Sequence, residues 1–122
     1  MFTVQRIYDY RPAAGQTAVF IDRLYPRGVT KEKFAAAEWL KDIAPSAELR
    51  RWYHEDPAQH FAAFVTRYHG ELQGETQQKA VAHLLELEKQ HGAVLLLTAV
   101  KNPQQSHVSA LAQYLGIPFV YR

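Results

Sequence analysis

Ala93-Val-Leu-Leu-Leu-Thr-Ala-Val100 is apolar at every position but Thr98 and lies between Gly92 and Lys101-Asn102-Pro103. A run this short and this continuous suits a strand buried on both faces, because a half-exposed strand would alternate apolar and polar residues. Upstream, Thr17-Ala-Val-Phe-Ile-Asp22 has the same character. The long interval between the two runs is patterned as helices, and parallel neighbours require a crossover of that kind. Buried strands alternating with helices define an α/β fold, expected here as a short, mostly parallel sheet flanked by helices, a Rossmann-like three-layer architecture.

The remaining elements follow from local signals. Phe2 to Tyr8 alternates as a strand until Arg6 and Ile7 break the phase, and Asp9 to Gly15 forms a loop. Lys31 to Ala44 is expected as one helix, capped by Thr30 and ended by Pro45, with Phe34, Ala37, Leu40 and Ile43 on one stripe and Trp39 at its margin. Ser46 caps a short helix over Ala47–Tyr53. Asp56-Pro57 opens a longer one running to about Gly74, with Phe61, Phe64, Val65, Tyr68 and Leu72 at helical spacing. A further helix spans Thr76 to Gln90 and stops at Gly92. Asn102-Pro103 is read as opening the last helix, with Val108, Leu111, Ala112 and Leu115 facing the core, and Pro118 to Tyr121 as a final strand.

Length and composition narrow the classes. The 122 residues suffice for one domain with a real core, and 48% hydrophobic with 21% charged residues is the balance of a globular chain. The formal charge of +2 is too small to argue nucleic-acid binding by itself. With no cysteine, thiolate nucleophiles, redox pairs, thiolate metal sites and disulfides are all excluded. Met1 to Arg6 lacks a signal-peptide pattern and no apolar run approaches membrane-spanning length, so a cytoplasmic location with no membrane partner is expected.

The candidate site comes from Asp22-Arg-Leu-Tyr-Pro-Arg-Gly28, where a buried run empties into a carboxylate and two guanidinium groups. Ligands of open α/β sheets sit beyond the carboxyl ends of the strands. If the 17–22 and 93–100 strands are parallel, Asp22, Arg23 and Arg27 face Thr98, Lys101, Asn102 and the start of the last helix. Arg23 and Arg27 offer forks of donors to an oxyanion, and Lys101 either adds charge for the same ligand or is a solvated loop lysine. Asp22 suits a general base, an orienter of Arg23 or a salt-bridge partner. His107, in the first turns of the last helix, suits proton transfer, since a free imidazole titrates near neutrality, or else is a structural or exposed histidine. Against these stands a structural alternative in which Asp22, Arg23 and Arg27 form an ion-pair brace. His54 and Asp56 invite a metal reading, yet Asp56 serves as a helix cap and no His-x-x-x-His spacing occurs, so no metal site is expected. No phosphate-loop or dinucleotide fingerprint can be written, and no cofactor is expected; the absence of a Gly-x-Ser-x-Gly elbow disfavours a serine hydrolase of that type. Trp39 and Trp52 flank the Pro45-Ser46 turn as packing residues or, if exposed, an aromatic wall. Arg50 and Arg51 read as a solvated face.

Six blocks carry a resemblance: Asp22-Arg-Leu-Tyr-Pro-Arg-Gly28, Trp39-Leu-Lys-Asp-Ile-Ala-Pro-Ser46, Glu48-Leu-Arg-Arg-Trp-Tyr-His54 with Asp56-Pro57, Arg67-Tyr-His-Gly-Glu-Leu72, Leu95-Leu-Leu-Thr-Ala-Val-Lys101, and His107. In order and spacing the chain resembles the YeaO-like group of the domain-of-unknown-function family 488 over nearly its whole length. Tyr25 stands where that family usually has Trp, and Ser106-His107-Val108 stands where it usually has Asn-His-Ala. The resemblance implies a small intracellular α/β domain without a settled biochemical role. Some relatives are labelled regulators, although no helix-turn-helix pattern is seen here. Two functions are expected. One is an anion site that binds, or as an enzyme acts on, a phosphorylated small molecule, a nucleotide or a nucleic-acid end. The other is a non-catalytic module gripping nucleic acid or protein.

Overall fold

The computed structural model describes all 122 residues and gathers five strands into one sheet: β1 (Phe2–Arg6), β2 (Ala18–Phe20), β3 (Glu38–Trp39), β4 (Val94–Thr98) and β5 (Phe119–Tyr121). Their spatial order is β3-β2-β4-β1-β5 and every pairing is parallel. The apolar run at 94–98 takes the centre, with all five residues buried. Leu95 to Leu97 lies opposite Ala18 to Phe20 on one side, and Val94 to Thr98 lies opposite Phe2 to Arg6 on the other. Because the register is parallel, β2 and β4 end on the same edge of the sheet, as the site argument required.

Five helices connect the strands: α1 (Lys31–Ala35), α2 (Ala47–Glu55), α3 (Pro57–Glu71), α4 (Glu75–His91) and α5 (His107–Leu115). The capping residues act as their types dictate. Thr30, Ser46 and Asp56 accept from the backbone N–H groups of Lys33, Leu49 and Gln59, and Pro57 occupies the first turn of α3. Gly116, with φ at 68°, ends α5 in the left-handed conformation, which costs an L-residue with a side chain energy that glycine avoids.

One face of the sheet carries Phe2, Val4, Val19, Ile21, Val94, Leu96 and Phe119, against which α2 to α5 pack. The other face is thinner: Ala18, Phe20, Leu95 and Leu97 meet Ile7, Tyr10 and the partly buried Phe34, Ala37 and Trp39. None of the helices is long and apolar enough to cross a membrane.

Two expectations are corrected. The helix expected over 31–44 ends at Ala35, and a strand, β3, and a 3₁₀ turn at Lys41–Ile43 follow. The supposed stripe is in fact divided between the two faces of the sheet. Phe34, Ala37 and Trp39 join the thin outer cluster, whereas Leu40 and Ile43 join the main core. A single helix cannot deliver one stripe to both sides of a sheet. An extended segment passing the sheet edge can, and Leu40 N–H bonds to Phe20 C=O at 2.9 Å as it does so.

The second correction concerns the last helix. Asn102-Pro103 begins only a 3₁₀ turn, Pro103–Gln105, and α5 starts at His107. Ser106 is the true cap. Its hydroxyl donates to Pro103 C=O at 2.9 Å and accepts from Val108 N–H at 3.0 Å, while Ser109 Oγ accepts from Ser106 N–H. The Arg6-Ile7 phase break also has structural meaning, since β1 ends there and Ile7–Asp9 form a 3₁₀ turn.

Candidate functional site

The carboxyl ends of β2 and β4 and the amino end of α5 converge on Asp22. Its Oδ1 accepts from Thr98 Oγ1 at 2.7 Å, and its Oδ2 accepts from Ala99 N–H at 2.8 Å. His107 Nε2 lies 3.1 Å from Asp22 Oδ1 and 3.1 Å from Ile21 C=O. Both neighbours are acceptors, so Nε2 carries a hydrogen. Burial alone would raise the Asp22 pKa. The His107 imidazole, the Ala99 N–H and the Thr98 hydroxyl outweigh it and hold the carboxyl below its ordinary value. His107 Nδ1 makes no bond within the molecule. Since no buried side-chain polar atom lacks a partner, this nitrogen is reached by solvent. His107 lines the cleft described below.

Arg23 turns away from Asp22. Its Nε donates to Pro45 C=O at 2.7 Å and its Nη2 to Ala44 C=O at 3.0 Å, tying the end of β2 to the turn that opens α2. The other end of that turn is anchored to α3: Ser46 N–H and Ser46 Oγ both donate to the Glu71 carboxylate, at 2.8 and 2.5 Å. Trp39 Nε1 donates to Asp22 C=O at 2.7 Å, so the missed strand β3 also steadies the site.

A cleft of about 700 Å³ opens over this framework. All five residues singled out from the sequence line it: Asp22, Arg23, Arg27, Lys101 and His107. They are not equivalent. Asp22, Arg23 and His107 are bonded into the framework, whereas Arg27 and Lys101 are exposed and make no side-chain hydrogen bond or ion pair. The expected ion-pair brace is therefore not formed: Asp22 pairs with His107, Arg23 bonds only backbone carbonyls, and Arg27 bonds nothing.

The cleft also holds residues that the sequence reading passed over, chiefly Arg50, Tyr53 and His54 of α2. The signal was present: spacings of three and four put them on one side of a helix whose start at Ser46 was already legible. Arg50 was assigned to a solvated face, and it is indeed exposed and unpaired, but the solvent it meets is in the cleft. His54 Nδ1 donates to Arg50 C=O at 2.8 Å; burial first, and then the Arg50 charge, depress its pKa. Tyr53 donates to Gln105 C=O at 3.2 Å. Four fixed cations, Arg23, Arg27, Arg50 and Lys101, thus share the cleft with one carboxylate.

Neither tryptophan lines the cleft. Trp39 packs edge-on against Phe20 and Phe34, and Trp52 stacks on His60 at 3.9 Å with the Arg67 guanidinium 4.1 Å from its ring centre. Nowhere do three or more His, Cys, Asp or Glu side chains group as metal ligands.

Fold and site together define a parallel α/β domain with a cation-rich cleft at the carboxyl edge of its sheet. The chain belongs to the family described as the inactive DUF488-N3 subclade, whose model matches residues 1–119. It is 41% identical over 116 residues to the uncharacterized protein Rv3073c of Mycobacterium tuberculosis, covering 93% of this chain and 92% of that one. A protein of Mycobacterium bovis, also uncharacterized, gives the same figures. The uncharacterized protein YeaO of Escherichia coli is 37% identical over 112 residues, covering 91% of this chain and 93% of that relative. No solved structure matches.

Proposed function

We propose that the cleft binds a small phosphate-bearing ligand, held by Arg27, Arg50 and Lys101, and that it does so without turning the ligand over. The observation that carries this is the charge balance. Three cations in one cleft have no partner in the molecule, while the single carboxylate beside them is already engaged by three donors. Unpaired guanidinium and ammonium groups around a concave surface attract an anion and can bond it through charge-assisted hydrogen bonds. Asp22, Arg23 and His107 are positioning residues in this account: they lock β2, β4, α5 and the α2 turn around the ligand. The family's description as an inactive subclade supports binding over turnover.

A second reading has its own observation. Asp22 lies behind His107 and holds Nε2, leaving Nδ1 open, which is how a carboxylate orients an imidazole for proton transfer. If the cleft is catalytic, His107 moves the proton and Asp22 orients it.

Thermal-shift measurements with phosphate, sugar phosphates and nucleotides test the proposal. A ligand at a hundredfold excess over its Kd stabilises the fold by about 2.7 kcal/mol. Arg27→Ala and Lys101→Ala should fold normally and each weaken binding about tenfold, the loss of one charge-assisted bond. No shift with any phosphate compound would sink the proposal. Turnover of a bound compound that disappears in His107→Gln, with binding retained, would replace it by the second reading.

A further inference from the structure

Six large apolar side chains are exposed, and three of them, Tyr8, Leu24 and Tyr25, sit on the rim of this one cleft. The Tyr25 ring is held in place. Tyr25 donates its hydroxyl to Val29 C=O at 2.8 Å and packs on Phe34 with ring centres 4.6 Å apart, yet it remains 44% exposed. Tyr8 is 39% exposed and has the Arg6 guanidinium 4.9 Å from its ring centre; Arg6 is itself pinned to Ala99 and Val100 C=O. A ring held as Tyr25 is loses little freedom when something stacks on it.

A bare phosphate or sugar phosphate would use the cations and leave these rings wet. We propose that the ligand is a nucleoside phosphate, with its base stacked on Tyr25, Tyr8 forming a second aromatic wall, and its phosphate held by Arg27, Arg50 and Lys101. This rests on the phosphate-binding reading above and adds the base. Every nucleobase has a flat face that stacks on an aromatic side chain, and guanidinium groups serve its phosphate. The cleft's size, about 700 Å³, falls within the usual span of small-ligand pockets. Leu24, 54% exposed beside Tyr25, extends the apolar rim. The rim offers stacking surface without a set of buried polar side chains to read a base edge, so purine and pyrimidine nucleotides should both bind.

Isothermal titration of the full chain with AMP, CMP, ribose 5-phosphate and inorganic phosphate tests this. The nucleotides should bind at least about fivefold tighter than ribose 5-phosphate, the lower end of what one stacked base contributes. Tyr25→Leu should erase that difference and leave ribose 5-phosphate affinity as it was. Tyr8→Leu, expected to narrow the difference, serves if Tyr25→Leu fails to fold. Equal binding of nucleotides and ribose 5-phosphate would overturn the stacking inference and leave the phosphate site standing. Absence of binding by all four compounds would remove both. A 5′-phosphorylated trinucleotide separates two sources of the same chemistry: tighter binding than AMP identifies a strand end, and weaker binding identifies a free nucleotide.

Discussion

Replacing Asp22 by alanine should be among the more destabilising substitutions at the edge of the sheet. The change removes the acceptor for two donors, the hydroxyl of the fully buried Thr98 and the Ala99 N–H, at 2.7 and 2.8 Å. His107 keeps Ile21 C=O at 3.1 Å and is only partly orphaned. A buried donor without a partner costs about 1–3 kcal/mol, so two of them bound the loss at about 2–6 kcal/mol. The Asp22 side chain is 14% exposed and borders the cleft, so water can enter part of the vacated space. That places the expected loss near the lower end, about 2–3 kcal/mol. Against a total of about 5–15 kcal/mol this is a large fraction. Urea unfolding at pH 7, followed by far-UV circular dichroism, should show a lower midpoint with an unchanged slope.

The same substitution has a signature in acid. The folded pKa of Asp22 lies below its unfolded value of about 3.9, so the unfolded state binds the proton more readily. Its stabilisation is therefore complete above about pH 4 and fades as pH falls through the folded pKa. The gap between wild type and Asp22→Ala should narrow in that window. Combining Asp22→Ala with Thr98→Val should cost less than the sum of the two, because the valine leaves no hydroxyl to be orphaned. A loss below about 0.5 kcal/mol at pH 7, or additive behaviour in the double variant, would refute this role of Asp22.

Arg23→Lys keeps the charge but gives up the two-pronged grip on Ala44 and Pro45 C=O, and should lower stability by about 1–2 kcal/mol in thermal unfolding. Tyr68 is fully buried with its hydroxyl on Ile43 C=O at 2.6 Å, so Tyr68→Phe should cost about 1–2 kcal/mol by the same method. Burial chiefly, with the Glu71 and Asp22 carboxylates adding, pushes the Tyr68 pKa far up. In an absorbance titration it should be the last of the seven tyrosines to ionise, and its contribution to stability, complete below about pH 10, should be lost as the pH rises further. Gly116→Ala places a side chain at φ 68° and should cost about 1 kcal/mol in urea unfolding; no loss would mean that α5 can end another way.

The site, unlike the fold, divides into what is spent and what is free. Asp22, Arg23 and His107 are built in, and Arg27, Arg50 and Lys101 are left over. Residue type alone could not make this division, because a guanidinium looks the same in a sequence whether carbonyls or solvent surround it. Arg23 and Arg27 are four residues apart, and by residue type alone both suit the same anion-binding role. The carbonyls that claim Arg23 belong to Ala44 and Pro45, more than twenty residues downstream, and nothing local announces that contact.

What the sequence determined by itself was mostly local. Continuous apolar runs at 17–22 and 93–100 required a buried parallel sheet; Ser46, Asp56-Pro57, Gly92 and Gly116 marked helix ends through backbone chemistry that each residue carries wherever it sits. Parallel pairing then sufficed to bring Asp22, Thr98 and His107 to one edge. Tertiary structure decided the rest. Trp39 became a strand residue because Phe20 lay open beside it at the sheet edge, although the spacing around it also suited a helix. Arg50 came into the cleft because α2 packs on the face beneath that edge. Both outcomes depend on the neighbour that the chain meets, and local spacing specifies only which residues share a side, not what they will face.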